Sequence, residues 1–135
     1  MQVQLVAPDR MVWSGEADMV IARTVEGDIG ILPRHAPLLG VLVEHPVTIR
    51  RTDGDELVAA VHGGFLSVSE GGVDVLAEIV EISAEIDVER ARAALERAKG
   101  EDTEESRAAE RRAAARLLAA TGDVTWQPQA QRPQA

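Results

Sequence analysis

The sequence predicts an α+β protein, with an N-terminal antiparallel β-sandwich followed by a C-terminal two-helix antiparallel hairpin. Three observations predict it. Residues 1–84 hold short apolar runs broken by turn residues at spacings of roughly 8–12, the rhythm of a sandwich or barrel. From Ile86 the apolar period lengthens from two to three or four, the helical repeat. Hydrophobic residues make up 45% of the chain but aromatics only 2%, so the core must be Val, Ile, Leu and Ala, which suits a β-rich body. At 135 residues there is room for one ordinary domain, or a small one with an appendage.

The strands follow in order. Gln2-Val3-Gln4-Leu5 alternates with Val3 and Leu5 inward, and Ala7-Pro8-Asp9-Arg10 ends it as a turn. Met19–Ala22 and Gly40–Val43 are short apolar strands. Val47–Arg50 and Glu56–Val61 flank Thr52-Asp53-Gly54-Asp55, where Asp-Gly signals a hairpin because glycine tolerates positive φ. Phe65–Val68 and Val73–Ala77 flank a second turn at Glu70-Gly71-Gly72. Between the early strands lies GDIGILPRHAPLLG, Gly27 to Gly40. Gly30 and two prolines stop any helix or strand from running its length, and Pro33 and Pro37 stiffen the chain around Arg34, His35 and Ala36. Such an apolar loop either covers the end of a core or waits for a partner, and local pattern leaves both readings open.

Asp87 is placed to cap a helix over Val88–Lys99, with Gly100 as its C′ residue. Val88, Ala91, Leu95 and Ala98 share one face. Thr103 or Ser106 caps a second helix ending at Thr121-Gly122, with Ala109, Ala113, Leu117 and Ala120 as a thin stripe. The short connection makes the pair an antiparallel hairpin. Its apolar faces are mostly alanine, so its docking is expected to be weak, as befits a moving part. Domain boundaries are expected at 84 and 122, with 123–135 a disordered tail whose start Trp126 pins.

Composition excludes several functions. The net charge of −9 is concentrated in residues 1–84, so a phosphate backbone would be repelled and nucleic-acid binding is not expected. The chain has no cysteine, hence no thiol nucleophile and no thiolate metal site. His35, His45 and His62 stand in separate segments without metal-ligand spacing, and no metal site is expected; His45 and His62 read as structural or exposed. No phosphate-binding glycine loop and no serine with a nearby base is present, so the chain reads as no enzyme. Gly63-Gly64 reads as a bulge or a close backbone approach. No apolar run is long enough to cross a membrane and no signal-peptide pattern is present, so a cytoplasmic protein without direct membrane insertion is expected.

The arginines carry more information. Arg90 and Arg97 share a face of the first helix, and Arg112 and Arg116 a face of the second. Folded back on each other, the helices would draw four guanidiniums together near Glu81 and Asp87, an arrangement suited to phosphate. The alternative is a solvated face laced with Glu89, Glu96 and Glu110.

The run GDIGILPRHAPLL, with HGGFL at His62–Leu66 and IDVERA at Ile86–Ala91, resembles the epsilon subunit of the bacterial F-type ATP synthase from Val3 to about Gly122. The resemblance implies a non-catalytic rotor subunit, peripheral on the cytoplasmic face of the plasma membrane. It implies contacts to the gamma subunit and the c ring through Asp28, Ile31, Arg34, His35 and Leu38. In that reading Asp28 and His35 meet the ring's polar loops, while Ile31, Leu32 and Leu38 plug the sandwich end, and Ile29 and Leu39 belong either to that contact or to the core. The family usually has glycine where this chain has Arg34. The resemblance also implies a hairpin that restrains ATP hydrolysis by extending toward the catalytic alpha/beta head, with Arg107, Arg111, Arg112 and Arg116 as docking cations. Some members bind ATP on the folded hairpin. The matching positions here are Glu81, Ile86, Asp87, Arg90, Ala91, Arg97, Arg112 and Arg116, with no cofactor otherwise required. A rival reading is a free-standing nucleotide-sensing module built on the arginine hairpin alone.

Overall fold

A computed structural model describes residues 1–122, and the expected disordered tail with its Trp126 anchor lies outside them. The strands are β1 (Gln2–Ala7), β2 (Arg10–Thr24), β3 (Gly27–Ile31), β4 (Leu38–Leu42), β5 (His45–Arg51), β6 (Glu56–Val61), β7 (Gly64–Ser69), β8 (Gly72–Ala77) and β9 (Val80–Ile82). A 3₁₀ turn at Ser83–Glu85 leads into α1 (Val88–Lys99) and α2 (Glu104–Thr121). The strand order is β1-β8-β7-β4-β2-β5-β6-β9, with β3 on β2. The long β2 pairs with β1 through its first half and with β3 and β5 through its second, so it joins both layers of the sandwich.

Alternation explains the core. Val3 and Leu5 of β1, Leu66 and Val68 of β7, and Val73 and Val75 of β8 are buried between the layers with Val47 and Ile49 of β5. Strand β6 departs from alternation because Ala59, Ala60 and Val61 are all buried. Ala59 and Val61 belong to the sandwich core, whereas Ala60 does not. Helix α2 packs on β5 and β6 and covers their outer face.

Both expected hairpin turns form. Asp53 Oδ1 accepts from the Asp55 amide at 2.9 Å, and Gly54 supplies a φ of +97°. The first half of β2 was not foreseen: Met11 to Asp18 lacks alternating apolar residues because much of it is half-exposed. Glycines mask β3, and β9 is only 3 residues long.

The hairpin follows its capping signals. Asp87 accepts from the Arg90 amide, and Thr103 and Ser106 act together as a capping box rather than as alternatives. Gly100 is not a left-handed C′ residue. Its φ is −76° because its amide still bonds to the Arg97 carbonyl, a tightened last turn. Leu95 packs on Ala113 and Ala114, with Ala94 and Leu117 alongside. The stripe read on α2 was too narrow, since Ala114, Ala115 and Ala119 are buried as well. The sandwich covers a second side of this helix.

Candidate functional site

The hairpin root is built on a backbone reversal. Gly63 and Gly64, with φ of +82° and +125°, turn the chain from β6 into β7. A Cβ on Gly64 would lie 2.1 Å from the Leu76 carbonyl oxygen, so this close approach requires glycine. The same reversal fixes His62, whose amide bonds to the Ile79 carbonyl at 3.0 Å and which is only 4% exposed. His62 Nε2 donates to Glu81 Oε1 at 2.8 Å, and Arg116 Nε donates to the same oxygen at 2.7 Å. Glu81 stands opposite Ala60 in the β6–β9 register, on the side that α2 covers.

Electrostatics sharpen the arrangement. Burial pushes the His62 imidazole below its ordinary pKa, outweighing the upward pull of Glu81, and Arg116 pushes it further down. Partial burial pushes the Glu81 carboxyl up, but the hydrogen bonds from Arg116 and His62 together outweigh it and leave its pKa lowered. His62 is therefore neutral near pH 7, with its proton on Nε2. Its Nδ1 is buried without a partner.

On the other flank of α2, Arg111 Nε lies 3.4 Å from Glu44 Oε2 at the β4–β5 corner. Arg112 is half-buried, Arg90 and Arg97 are exposed, and none of the three makes an ion pair among the described residues. Ile86 is half-buried, Asp87 caps α1, and Ala91 is buried. Of the expected nucleotide-binding set, the structure thus joins Glu81 to Arg116 and Asp87 to the backbone of Arg90. It records no hydrogen bond linking the α1 arginines to the α2 arginines. His62 and Glu44 were absent from the expected set, and no sequence signal marks them: their partners lie 19 and 67 residues away.

The proline loop divides its residues. Ile31 is fully buried and Leu38 packs against the core, so both close the sandwich end. Leu32 does not plug it, being 56% exposed, because it follows the last β3 residue into the turn. Ile29 packs on the core, whereas Leu39 is 71% exposed, on the outward side of β4. The His35 amide bonds to the Leu32 carbonyl at 3.1 Å, and Arg34 adopts φ +71°, as the third position of a type II turn led by Pro33 demands. That left-handed conformation accounts for the glycine usual there in the family that the motif resembles. The His35 ring bonds through Nδ1 to the Ala36 carbonyl at 2.7 Å. Asp28 sits toward the other end of β3, directly opposite Arg23 and ion-paired with it. The Arg23 hydrogen bond holds its carboxyl below the ordinary value. Asp28 and His35 are therefore separated by most of β3, on the order of 10 Å.

An outward apolar row also escaped sequence reasoning. Phe65 on β7 stands directly opposite Val41 on β4 and Leu76 on β8, and these three residues are 49%, 45% and 45% exposed. Alternation along Gly64–Ser69, which sends Leu66 and Val68 inward and hence Phe65 outward, is the signal that would have found it. Between α2 and the sheet lies a groove of about 880 Å³, floored by Ile21, Thr48 and Val58 and walled by Ala115 and Leu118. Among the described residues no group of three or more His, Asp or Glu side chains is placed to hold a metal ion, and no helix is long and apolar enough to cross a membrane.

Residues 1–83 match the family model described as the ATP synthase delta/epsilon chain, beta-sandwich domain. The ATP synthase epsilon chain of Streptomyces coelicolor is 58% identical over 122 residues, covering 90% of this chain and 96% of the relative. That of Thermobifida fusca is 51% identical over 126 residues, covering 90% and 92%. Among solved structures, a chain of the Euglena gracilis mitochondrial ATP synthase, imaged as an assembly of OSCP, F1 and c ring, aligns with a TM-score of 0.69 at 25% identity. The alignment covers 85% of this chain and 73% of that one. A Tetrahymena thermophila chain from a structure of the mitochondrial central stalk and c ring shares the fold, with a TM-score of 0.59 at 21% identity. A sandwich with this register, a hairpin docked on its β5–β6 face and relatives matched over nearly their whole length lead to one assignment: the chain belongs to the epsilon chains of the F-type ATP synthase.

Proposed function

We propose that the chain is a non-catalytic rotor subunit that couples the c ring to gamma through its sandwich and restrains ATP hydrolysis through its hairpin. The observation that carries this reading is the division of the sandwich faces. One face is taken by α2, resting largely on small side chains, while the other presents the uncovered row Val41, Phe65 and Leu76. An uncovered apolar row suits a lasting protein contact, and we assign it to gamma. The proline loop, with Arg34 and His35 exposed, addresses the c ring. Asp28 contributes there only if the ring reaches along β3. The protein is held at the cytoplasmic face of the membrane by these partners rather than by insertion.

The hairpin is the brake. Released from the sandwich, α2 would offer Arg107, Arg111, Arg112 and Arg116 to acidic surfaces of the alpha/beta head. A chain ending at residue 84 should assemble with gamma and the c ring but leave ATP hydrolysis unrestrained. Full inhibition by that truncated chain would overturn the brake.

A second reading adds ATP as a regulatory ligand on the folded hairpin. It is favoured by Arg90, Arg97 and Arg112, whose guanidiniums have no ion-pair partner among the described residues. A ligand preferring the folded hairpin would shift the population by its difference in affinity for the two states. Calorimetric titration of ATP into the full chain checks this. Saturable binding lost in Arg90→Ala supports the site, and unchanged affinity in that variant removes Arg90 from it.

A further inference from the structure

We propose that His62 is a proton-sensitive fastener of the hairpin: neutral, it holds Glu81 onto Arg116, and its protonation lets α2 leave the sandwich. The inference rests on the reading of the hairpin as a movable arm.

The geometry is a two-bond relay across the joint. His62 belongs to the β6–β7 reversal, Glu81 to β9 and Arg116 to α2, so one carboxylate oxygen receives a donor from the body and a donor from the arm. At this joint Arg116 crosses from the arm, and His62 fixes where its acceptor sits. The imidazole side chain is 2% exposed, and its Nδ1 meets neither donor nor acceptor. A second proton would have to reside on that nitrogen, inside a sealed site, as an N–H donor with no acceptor.

Every charged group facing the ring bears on the direction. Glu81 from β9 and Glu44 from the β4–β5 corner favour the imidazolium, whereas Arg116 from α2 and burial oppose it. The Glu78 carboxylate lies at the turn beside Gly63, on the body. When α2 leaves, Arg116 and the helix's share of the burial leave with it, while Glu81, Glu44 and Glu78 stay. The released state therefore binds a proton more readily than the docked state. Docking is fully favoured above the ordinary histidine value of 6.5 and weakens as pH falls below it. Glu81, its carboxyl held below the ordinary value by Arg116 and His62, stays ionised through that window.

His45 is the rival titrating group. It too is held below its ordinary value by burial, but its Nδ1 bonds to the carbonyl of Pro46 on its own strand and no bond ties it to α2. His35 is exposed on the distant loop.

The chain has no cysteine, so Asp53→Cys and Glu96→Cys, both at exposed positions, allow a label pair spanning sandwich and hairpin in the full-length protein. The measurement is the released fraction between pH 7.5 and 5.5. It should rise on acidification, by up to about tenfold for each pKa unit that separates the docked from the released protein. His62→Asn should flatten the profile and His45→Asn should keep it. Arg116→Gln, which leaves the ring in place, should raise release at pH 7.5 and reduce the slope. A His62→Asn profile as steep as the parent's, or a slope abolished by His45→Asn, overturns the inference and leaves the movable arm standing. A label distance unchanged in every variant at every pH overturns both.

Discussion

Arg111 and Glu44, 67 residues apart in the chain, meet with Nε 3.4 Å from Oε2, and tie α2 to the β4–β5 corner. Arg116 and Glu81 make the matching tie toward β9, so the helix is held along both flanks. The Arg111 pair is partly exposed, and such pairs contribute about 0.2–1 kcal/mol. Arg111→Ala should therefore lower amide protection in α2 by up to about fivefold and leave the sandwich strands unchanged, as read by hydrogen exchange. The loss should shrink at high salt.

Leu95 is the largest buried side chain in the small cluster between the helices, and alanines provide most of its surroundings. Leu95→Ala should cost about 2–5 kcal/mol. A hairpin with so thin an interface should not survive that loss. Circular dichroism should show the helical signal melting at lower temperature while the β-sandwich transition stays in place.

Arg34 holds φ at +71°, a conformation costing a side-chain-bearing residue about 1–2 kcal/mol. Arg34→Gly removes that strain and returns part of the gain as unfolded-chain entropy. Net stability should rise by about 0.5–1 kcal/mol in chemical denaturation. A pairing role for the guanidinium would show as a fall instead.

Asp28 and Arg23 form an exposed cross-strand pair that lowers the Asp28 pKa. A carboxyl with a depressed folded pKa contributes stability above its ordinary value of 3.8, and the contribution disappears as pH falls through the folded value. Asp28→Asn should thus be destabilising by less than about 1 kcal/mol at pH 7, after screening is allowed for. The two proteins should converge in stability as pH falls through that folded value, as urea midpoints would reveal.

Phe65 is half-exposed at the centre of the outward row. Phe65→Ser should leave the melting temperature within a few degrees of the parent. It should weaken capture of gamma by about tenfold or more, as large aromatic anchors do when truncated. Unchanged capture would send the gamma contact elsewhere on the sandwich.

The helices and the two glycine-centred hairpins were legible because caps and turns are local devices. Asp87, Thr103 and Gly54 perform their roles within a few residues of themselves. The first half of β2 was not legible, because its partner β1 and its half-wet faces give it no clean alternation. The candidate site was half legible. Motif spacing pointed to Glu81 and Arg116, but nothing local to His62 says that it lies beneath both. Local pattern likewise could not show that Leu32 and Ile31, neighbours in the chain, would part company at the end of β3.

The surface beneath and beside α2 includes Ile21, Pro46, Thr48, Val58 and Ala60. Lifting the helix would wet mostly small and medium side chains, with Ile21 at the groove floor and no phenylalanine or tryptophan among them, so the vacated body has a modest greasy area with which to recapture the arm or to snare a neighbouring molecule. Interfaces that must last are usually faced with large residues. Among the described residues the large outward aromatic, Phe65, lies on the opposite layer, so the molecule keeps its grip and its release on separate walls and can open one without loosening the other.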